Sequence, residues 1–355
     1  MKHTLFITGA AGYVGTMLVR HFAAREDVER IIGLDKEPLP ELLAGETKLH
    51  YLKTNTADDW KEEVARFRPD IVIHAAWDIR AVYGDTQATW RSNIEGSDNV
   101  FDFALSESSV KRLVHFSTVA SYGSFPSNTI EHRFTEDEPF RKTDYLYAEE
   151  KRIAEEHLKA RYDARTNKDV DVAIVRPAAI TGPRGRFMRI RFGLQSALSG
   201  QLEGARIYSL IKALVAFVPV TPKWARQFIH EDDVVGIVER LALGPSAGPY
   251  EVFNICPPGE VIRGRDMAEA VGKRVLPVFP WMVRLPFFVF WHASRGKVPT
   301  ARGSWKGYSY PIVVDGSKVT EKLGYQYRSS GRDAFCYTAG SYESFVPEQA
   351  RRSKA

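Results

Sequence analysis

The stretch HTLFITGAAGYVG (residues 3–15) joins a short β-rich run to three glycines and the start of a helical pattern. Its first six residues are rich enough in apolar and β-branched types to predict a strand. Gly9 permits the tight turn that follows, Gly12 lets backbone N–H groups approach a pyrophosphate, and Gly15 allows close packing of helix on strand. The dipole at the helix N-terminus favours the negative phosphates. The stretch therefore predicts a strand–loop–helix unit that binds a dinucleotide.

Asp35 ends the next predicted strand, ERIIGLD (29–35), twenty residues after Gly15. A carboxylate at this point accepts hydrogen bonds from the adenosine ribose hydroxyls and repels a 2′-phosphate. The sequence therefore predicts NAD as the cofactor in preference to NADP, although the neighbouring Lys36 weakens that preference. We count Lys36, Tyr13 and Val14 with the glycines and Asp35 as cofactor-binding residues.

Strand-like and helical patterns alternate through the first half of the chain. Alternation of this kind indicates parallel strands joined by right-handed crossovers, and runs such as IVIHAA are apolar enough for strands buried on both faces. We predict an α/β fold, a doubly wound parallel sheet that is Rossmann-like, with a smaller C-terminal substrate-binding lobe. The predicted boundaries are an NAD-binding domain at 1–180 (with about 226–255 packed on it), a lobe at 181–225 and 256–345, and a disordered basic tail at 346–355.

Composition excludes several classes of protein. The 355 residues are 44% hydrophobic and carry a net charge of only +5, which does not indicate a nucleic-acid partner. The two cysteines, Cys256 and Cys336, suggest neither a disulfide framework nor a metal cluster and fit the cytoplasm. The longest apolar stretch, residues 275–291, contains Arg284 and three prolines, so stable membrane insertion is not expected. We interpret it as core or substrate-pocket wall, with shallow contact to a membrane surface as the alternative.

Six motifs occur in a fixed order along residues 4–255. They are the glycine triplet, HAAW (74–77), HFSTVASYG (115–123), Tyr147 with Lys151, VRPAAITGP (175–183) and RQFIHEDDV (226–234). In this order they resemble an extended short-chain dehydrogenase/reductase of the NAD-dependent epimerase/dehydratase type. The resemblance implies an enzyme that uses NAD on a small-molecule substrate.

Tyr147 and Lys151 are four residues apart in DYLYAEEKRIAEEH (144–157), and positions i and i+4 share one face of a helix. A tyrosine acts as a base only if its pKa falls well below about 10, and an ammonium group one turn away stabilises the phenolate. Tyr145 has Glu149, not a lysine, at the matching position. We therefore predict Tyr147 as acid/base and Tyr145 as packing or pocket wall. An ordinary amphipathic helix is the alternative.

The resemblance also implies roles for a Ser or Thr that lies four residues before a Tyr-Gly pair at a strand end. That position is Thr118, whose hydroxyl would orient the reacting substrate oxygen, while Ser117 would brace the nicotinamide region. The alternative is that Ser117, Thr118 and Ser121 are polar groups at the end of a strand. Thr118 joins Tyr147 and Lys151 as a predicted catalytic residue.

Further cofactor contacts follow from the resemblance. Asn93 either supports the cofactor or braces the backbone, and His74 is expected to make a structural hydrogen bond. Asn55 replaces the acidic residue that the family places before its adenine pocket. The remaining predicted contacts are Asn55, Thr56, Asn93, Ala75, Ala76, Trp77, Pro177, Ala178 and Ile180.

The substrate side of the motifs leaves two reactions open. Dehydratases of the family carry an Asp-Glu pair directly after the threonine, but Val119 and Ala120 stand there. Arg226 matches the arginine with which sugar-nucleotide epimerases bind diphosphate, whereas Ala179 replaces their asparagine. We predict a nucleotide-sugar epimerase first. The alternative is an NAD-dependent dehydrogenase of a hydrophobic alcohol, similar to 3β-hydroxysteroid dehydrogenases. A third hypothesis is a non-catalytic nucleotide sensor, but the presence of the Tyr/Lys pair argues against it.

Several other sets of residues have both a structural and a functional interpretation. Trp305, Tyr308 and Tyr310 either stack on a substrate ring or pack the lobe. The acids of HEDDV (230–234) are expected to cap a helix, so no metal site is predicted. The helices around NVFDFAL (99–105) and 144–157 could form the apolar seam of a homodimer, or each could pack in the core of a monomer. Four arginines could bind diphosphate or form a solvated face: Arg184, Arg186, Arg189 and Arg191.

Overall fold

A computed structural model describes residues 2–185, 217–269, 274–298, 300–336 and 339–348. Arg186, Arg189 and Arg191 lie outside these ranges, as do residues 349–355 of the predicted basic tail. None of the described helices is long and apolar enough to cross a membrane.

The strands and helices of the described ranges alternate as the sequence predicts. In chain order the strands are β1 (His3–Thr8), β2 (Val28–Asp35), β3 (Leu49–Lys53), β4 (Ile71–His74), β5 (Arg112–Phe116), β6 (Asp171–Pro177), β7 (Ala179–Thr181), β8 (Phe217–Val220), β9 (Ala225–Arg226), β10 (Phe228–His230), β11 (Tyr250–Ile255), β12 (Ile262–Arg263) and β13 (Arg274–Pro277). The helices are α1 (Tyr13–Ala23), α2 (Lys61–Ala65), α3 (Thr86–Trp90), α4 (Gly96–Ser106), α5 (Leu146–Ala164), α6 (Glu231–Leu243), α7 (Gly264–Glu269), α8 (Pro280–Ala293), α9 (Ser317–Leu323) and α10 (Gly331–Cys336).

Seven strands form one sheet in the order β3-β2-β1-β4-β5-β6-β11, and every neighbouring pair is parallel. The order reverses direction between β1 and β4. In open parallel sheets this switch point leaves a crevice at the carboxyl ends of the strands, where ligands bind. The predicted doubly wound Rossmann-like fold is confirmed.

Both faces of the sheet are covered by helices, which explains the nearly continuous apolar strands. One core contains Met17 and Phe22 of α1 and Val238 of α6, packed beneath β1 and β5. The other contains Phe101 of α4 and Leu158 of α5. The loop that carries Gly9 and Gly12 therefore connects two firmly buried elements, β1 and α1.

Residues beyond 255 return to this core and form small sheets of their own. β12 pairs with β9, and β13 pairs with β8. The segment 225–255 contributes β11 to the main sheet and α6 to its cover. The predicted limits of the domains stay a prediction.

The sequence patterns miss or misplace some elements. β3 has the sequence LHYLK, which lacks β-branched residues, and we did not predict it. The helix expected in ADDWKEEVARFRP (57–69) covers only Lys61–Ala65. The late region, expected to be irregular, contains the 14-residue helix α8.

The interpretation of the apolar stretch 275–291 as core or pocket wall is wrong for most of its length, although Val278 is buried. Most of it forms α8, in which no residue is buried. Trp281 and Phe288 are 64% and 62% exposed. Among the described residues, α8 contacts Tyr83, Trp305 and Tyr308, and its other sides face outward.

Candidate active site

The loop after β1 has a backbone that only glycine accepts at two points. Gly9 has φ +73°, and a Cβ there would lie 2.6 Å from the Ala76 nitrogen. A Cβ on Gly15 would lie 1.9 Å from the Gly9 carbonyl oxygen. The turn and the close packing of α1 on it therefore require these residues, as the sequence predicts.

The start of α1 fits a pyrophosphate. Its N-cap is Gly12, which provides no side-chain cap, and the first turn contains no acidic residue. A helix N-terminus in this state presents backbone N–H groups and a positive dipole end to an anion. The geometry of the loop therefore supports binding of a dinucleotide. Tyr13 and Val14 line the same cleft as the glycines.

Asp35 lies beside this loop at the end of β2. Its carboxylate accepts hydrogen bonds from the backbone N–H groups of Ala11 (3.0 Å) and Glu37 (3.0 Å). Burial raises the pKa of Asp35, and these two bonds oppose the increase. Lys36 is paired with Asp78 at 2.6 Å. The lysine is therefore already neutralised by a carboxylate, which leaves Asp35 to set the preference for NAD.

A cleft of about 760 Å³ runs from this loop along the carboxyl ends of the strands. It brings together most of the predicted site residues from both halves of the chain. The predicted residues that line it are Gly9, Gly12, Tyr13, Val14, Gly15, Asp35, Lys36, Asn55, Thr56, Ala75, Ala76, Trp77, Asn93, Thr118, Tyr147, Pro177, Ala178, Ile180 and Arg226. Ser117 and Lys151 lie behind this wall and are buried.

Tyr147 stands in the first turn of α5, and Thr118 stands at the end of β5. Burial raises the pKa of Tyr147, and a hydrogen bond with the Thr118 side chain acts in the opposite direction. Thr118 Oγ1 also accepts a hydrogen bond from the Ala120 N–H at 3.1 Å, which fixes its rotamer. The two hydroxyls therefore form a pair at the wall of the cleft.

Lys151 is buried one turn after Tyr147. Its ammonium group donates a hydrogen bond to the Phe116 carbonyl and lies 3.6 Å from the centre of the Trp77 ring. Burial lowers the pKa of Lys151, while Glu155 and Glu150 raise it. The lowering of the Tyr147 pKa by Lys151 stays a prediction, because the described contacts of the ammonium are with Phe116 and Trp77.

Asn93 braces the backbone, one of the two roles the sequence leaves open. Its amide oxygen accepts from the Asp78 N–H at 2.7 Å, and its amide nitrogen donates to the Asp78 carbonyl at 3.0 Å and to Glu150 at 2.7 Å. The bonds tie the segment after β4 to α5. The other oxygen of Glu150 is buried without a partner, and burial raises the pKa of this carboxyl.

Asn55 and Thr56 line the adenine end but are engaged in local structure. Asn55 accepts from the Ala57 N–H at 2.9 Å and donates to the Ser92 hydroxyl at 3.0 Å. Thr56 is buried, and its carbonyl accepts a hydrogen bond from the Trp60 indole at 2.9 Å. Their contribution to the cofactor stays a prediction.

The polar side chains at the ends of strands differ in whether they have hydrogen-bond partners. His74 bonds to Thr8 (2.7 Å) and Ser97 (2.9 Å), and burial lowers its pKa to about 3. The expected structural role of His74 is thus supported. Ser117 Oγ is buried without a partner. The contact of Ser117 with the nicotinamide region stays a prediction, because Ser117 lies behind the wall of the cleft.

Arg226 and two aromatic residues form the far end of the cleft. The Arg226 guanidinium donates to the Gly307 carbonyl at 3.2 Å and lies 5.5 Å from the Tyr308 ring centre. Tyr308 and Tyr310 line the cleft, whereas Trp305 does not. Tyr145 also lines it, and its ring lies 5.8 Å from that of Tyr147. Tyr145 is therefore pocket wall, as predicted from the sequence.

The acids at the start of α6 do not cap that helix. The cap is His230, whose Nδ1 accepts from the Asp232 N–H at 3.2 Å. Glu231 instead bonds to the Tyr13 hydroxyl and to the segment after β7, and Asp233 bonds to Tyr325 at 2.9 Å. Among the described residues no cluster of His, Cys, Asp or Glu could hold a metal ion.

Arg184 is not part of a solvated face. It is buried, and its guanidinium donates to the Tyr13 carbonyl at 2.7 Å and to Thr16. Glu231, Glu150 and Arg184 support the site but were not predicted as such. Sequence patterns did not identify these residues because their burial beside the site depends on the three-dimensional fold.

Comparisons with known proteins agree with this site. An uncharacterized protein of Mycobacterium tuberculosis (strain ATCC 25618 / H37Rv) is 25% identical over 340 residues, or 93% of this chain and 82% of its own length. The N-acetyl-alpha-D-glucosaminyl-diphospho-ditrans,octacis-undecaprenol 4-epimerase of Escherichia coli O157:H7 is 27% identical over 340 residues, or 95% of this chain and 87% of its own. Bordetella bronchiseptica WbmG, solved in complex with NAD and UDP, shares the fold with a TM-score of 0.67 at 23% identity, covering 94% of this chain and 92% of its own.

The profile of the NAD dependent epimerase/dehydratase family matches residues 5–256, which is most of the chain. The predicted family and the predicted cofactor are thereby confirmed. The protein belongs to the NAD-dependent epimerase/dehydratase family and is an NAD-dependent enzyme of the short-chain dehydrogenase/reductase type.

Proposed function

We propose that this enzyme is a 4-epimerase of a sugar carried on a diphosphate. The observation that carries the proposal is the pair formed by Tyr147 and Thr118 in a cleft that also holds Arg226. Val119 and Ala120 follow Thr118, so the wall lacks the acid pair that the family uses for dehydration. The remaining chemistry is removal of a carbinol proton and its return.

The residues have separate tasks in this reaction. Bound NAD supplies the acceptor, and later the donor, of the hydride. Tyr147 takes the carbinol proton as the ring carbon is oxidised and returns it after the sugar has turned its other face. Thr118 donates its single hydroxyl proton to the developing phenolate and so holds the phenolate beside the substrate oxygen. Lys151, held by Phe116 and Trp77, lies behind the pair, where an ammonium group would stabilise the phenolate.

Arg226 is the cation at the substrate end of the cleft. A guanidinium binds diphosphate in a bidentate manner, and its contact with Gly307 leaves further N–H groups for that role. The Escherichia coli relative is named for a sugar on a diphospho-polyprenol, and WbmG was solved with UDP. The diphosphate is the group that these two compounds share, which supports Arg226 as its ligand despite Ala179.

The alternative of a dehydrogenase for a hydrophobic alcohol keeps only one of its two supports. Ala179 lines the cleft, but none of the described residues of the apolar stretch 275–291 does. Tyr308 and Tyr310 line the substrate end instead, and aromatic rings with hydroxyls suit a sugar. The described site therefore favours the epimerase.

The proposed homodimer is not explained by apolar faces of α4 and α5. Phe101 and Leu158 of these helices are buried within the protomer. Their outer surface carries an ion pair between Arg161 and Asp98 at 3.1 Å. A dimer through these helices would use a charged surface, and sedimentation equilibrium at two salt concentrations would test it.

A cytoplasmic location stays part of the proposal.

Epimerase activity is tested with purified protein and three substrates: UDP-glucose, UDP-N-acetylglucosamine and N-acetylglucosaminyl diphosphate on undecaprenol. We expect chromatography to show conversion of at least one of them to its C4 epimer without net NADH release. Tyr147→Phe should abolish conversion, whereas Tyr145→Phe, which removes the hydroxyl of the neighbouring ring, should retain most of it. Conversion by Tyr147→Phe at the wild-type rate, or steady accumulation of NADH, would overturn the proposal.

A further inference from the structure

Helix α8 presents large apolar side chains to solvent on nearly all of its outer surface. These side chains are 41% to 64% exposed. We call this set the apolar helix face: Phe279, Trp281, Met282, Leu285, Phe288, Val289 and Phe290. A helix that is apolar all round is normally buried in a core or in a membrane. The residues that the structure describes leave this face of α8 exposed, so it is available to a partner.

The length of α8 excludes a span. Fourteen residues extend about 21 Å at 1.5 Å per residue, whereas the hydrocarbon layer of a bilayer is about 30 Å thick. Pro286 also removes a backbone donor within the helix. Apolar segments of this length are core helices or lie in the interface of a membrane. Because α8 is exposed, it is not a core helix, and the membrane interface is the location that its exposure fits.

The protein holds α8 by the opposite side. Phe287 packs against the Tyr308 ring at 5.0 Å, and Tyr308 lines the cleft. Trp291 packs against Tyr83 at 5.6 Å, and the Tyr83 hydroxyl bonds to His292 at 3.0 Å. Ile79, in the same loop as Tyr83, is 66% exposed and also lines the cleft. The apolar helix face therefore lies beside the mouth of the cleft.

The charge of this region matches an anionic surface. No Asp or Glu occurs between Glu269 and Asp315. Lysines and arginines of the same stretch lie on α8 or flank it in sequence, and of these Lys306 is paired with Asp144 at 2.6 Å. The others that the structure describes are exposed: Arg274, Arg284, Arg295, Lys297 and Arg302. Such basic residues are attracted to the anionic lipids of a membrane surface, and Trp and Phe favour the same interface.

We propose that the apolar helix face docks on the surface of an anionic lipid bilayer and presents the cleft to a sugar whose diphosphate is attached to a membrane lipid. The docking stands on the exposure and charge of residues 274–306. The lipid carrier rests, in addition, on the proposed epimerase function. A water-soluble nucleotide sugar would not require exposed aromatic rings on a helix that contacts Tyr308 through Phe287.

Docking is tested by flotation of the full-length protein with phosphatidylcholine vesicles that contain or lack about a quarter phosphatidylglycerol. We expect the protein to float with the anionic vesicles and to be released as salt screens the attraction. Leu285→Glu/Phe288→Glu should reduce flotation at least fivefold. The matched control Leu39→Glu/Leu42→Glu changes two exposed leucines on the segment after β2 and should float like the wild type.

Two results would overturn the docking proposal. One is a wild type that floats with neither vesicle, or a Leu285→Glu/Phe288→Glu variant that floats equally well. The other is a wild-type dimer that this variant converts to monomer without any vesicle binding, because a second copy would then cover the face. An unchanged melting temperature and NAD affinity show that the variant is folded.

The lipid carrier is tested separately with N-acetylglucosaminyl diphosphate on undecaprenol in anionic vesicles. We expect Leu285→Glu/Phe288→Glu to lower kcat/KM at least tenfold in vesicles and not in detergent micelles. Equal loss in both would overturn the role of docking in substrate capture. Vesicle binding with no epimerisation of any sugar diphosphate would instead refute the proposed function and leave the docking intact.

Discussion

The Tyr13 hydroxyl donates a hydrogen bond to the Glu231 carboxylate, although the two residues are 218 positions apart. Tyr13 begins α1, directly after the glycine loop, and Glu231 begins α6. The same carboxylate accepts from the backbone N–H groups of Arg184 (3.2 Å) and Gly185 (3.0 Å). One buried acid therefore joins the phosphate loop to the segment that follows β7.

Replacing this acid should loosen the loop. Glu231→Ala leaves two buried backbone N–H groups without an acceptor, and each lost partner costs about 1–3 kcal/mol. We expect a lower melting temperature and weaker NAD binding, measured by calorimetry. Tyr13→Phe removes only one of the three bonds and should have a smaller effect on both quantities. Unchanged NAD affinity in Glu231→Ala would contradict the link.

Thr118 should set the pH at which Tyr147 works. Burial raises the pKa of Tyr147, and the Thr118 hydrogen bond lowers it. Thr118→Val removes that bond, so the pKa of Tyr147 rises and less phenolate is present at a given pH. We expect the rising limb of the pH profile to move to higher pH, with activity at neutral pH about 10- to 100-fold lower, as for a lost hydrogen bond to a charged group.

The control for this experiment is Thr118→Ser, which keeps the hydroxyl and should keep the wild-type profile. The measurement is single-turnover reduction of bound NAD followed at 340 nm. A Thr118→Val profile that coincides with that of the wild type would show that Thr118 acts only as a strand-end cap for Ala120.

Local spacing was enough to predict much of this site. The glycine triplet fixes the turn because only Gly9 tolerates the left-handed backbone, and the step from Tyr147 to Lys151 singles out one of two tyrosines. These features depend on residues that are near each other in sequence. The link between Tyr13 and Glu231 depends on how β10 approaches β7, which no local pattern encodes.

Two other misses have different physical causes. The strand β3 lies at the edge of the sheet and is only partly buried, so its pattern is mixed. Helix α8 has the composition of a core segment, but hydropathy does not show whether the fold has a surface left to cover it. That question is answered only by the three-dimensional arrangement, where Phe287 faces Tyr308 and Phe288 faces outward.

Stability should fall with rising pH because of Glu150. Burial raises the pKa of this carboxyl in the folded state, and the Asn93 hydrogen bond only partly opposes it. Between the unfolded value of about 4.3 and the raised folded value, the native state holds a proton that the unfolded state releases. The free energy of unfolding therefore decreases as pH rises through this window. Glu150→Gln should remove this decrease.

The neighbouring Glu149 provides a control of opposite sign. Burial acts to raise its pKa, but hydrogen bonds from Arg152 and Thr143 outweigh burial and leave the pKa below its usual value. Glu149→Gln should therefore lose stability relative to wild type at pH 8 and approach it as pH falls. Urea unfolding at about pH 3, 5 and 8 compares both variants, because the stabilisation by Glu149 is lost only below the unfolded pKa of about 4.3. Parallel pH dependences for wild type and Glu150→Gln would contradict the assignment.

Asp35 should determine which dinucleotide binds. The carboxylate is held in place by the N–H groups of Ala11 and Glu37, and its negative charge repels a 2′-phosphate. Asp35→Ser removes the charge, so we expect NAD affinity to fall about tenfold while NADP affinity holds or rises. Isothermal titration with both dinucleotides measures the ratio of their Kd values. Lys36→Ala should change NAD affinity little, because Lys36 is paired with Asp78. If Asp35→Ser keeps the wild-type ratio, another group in the cleft sets the preference for NAD.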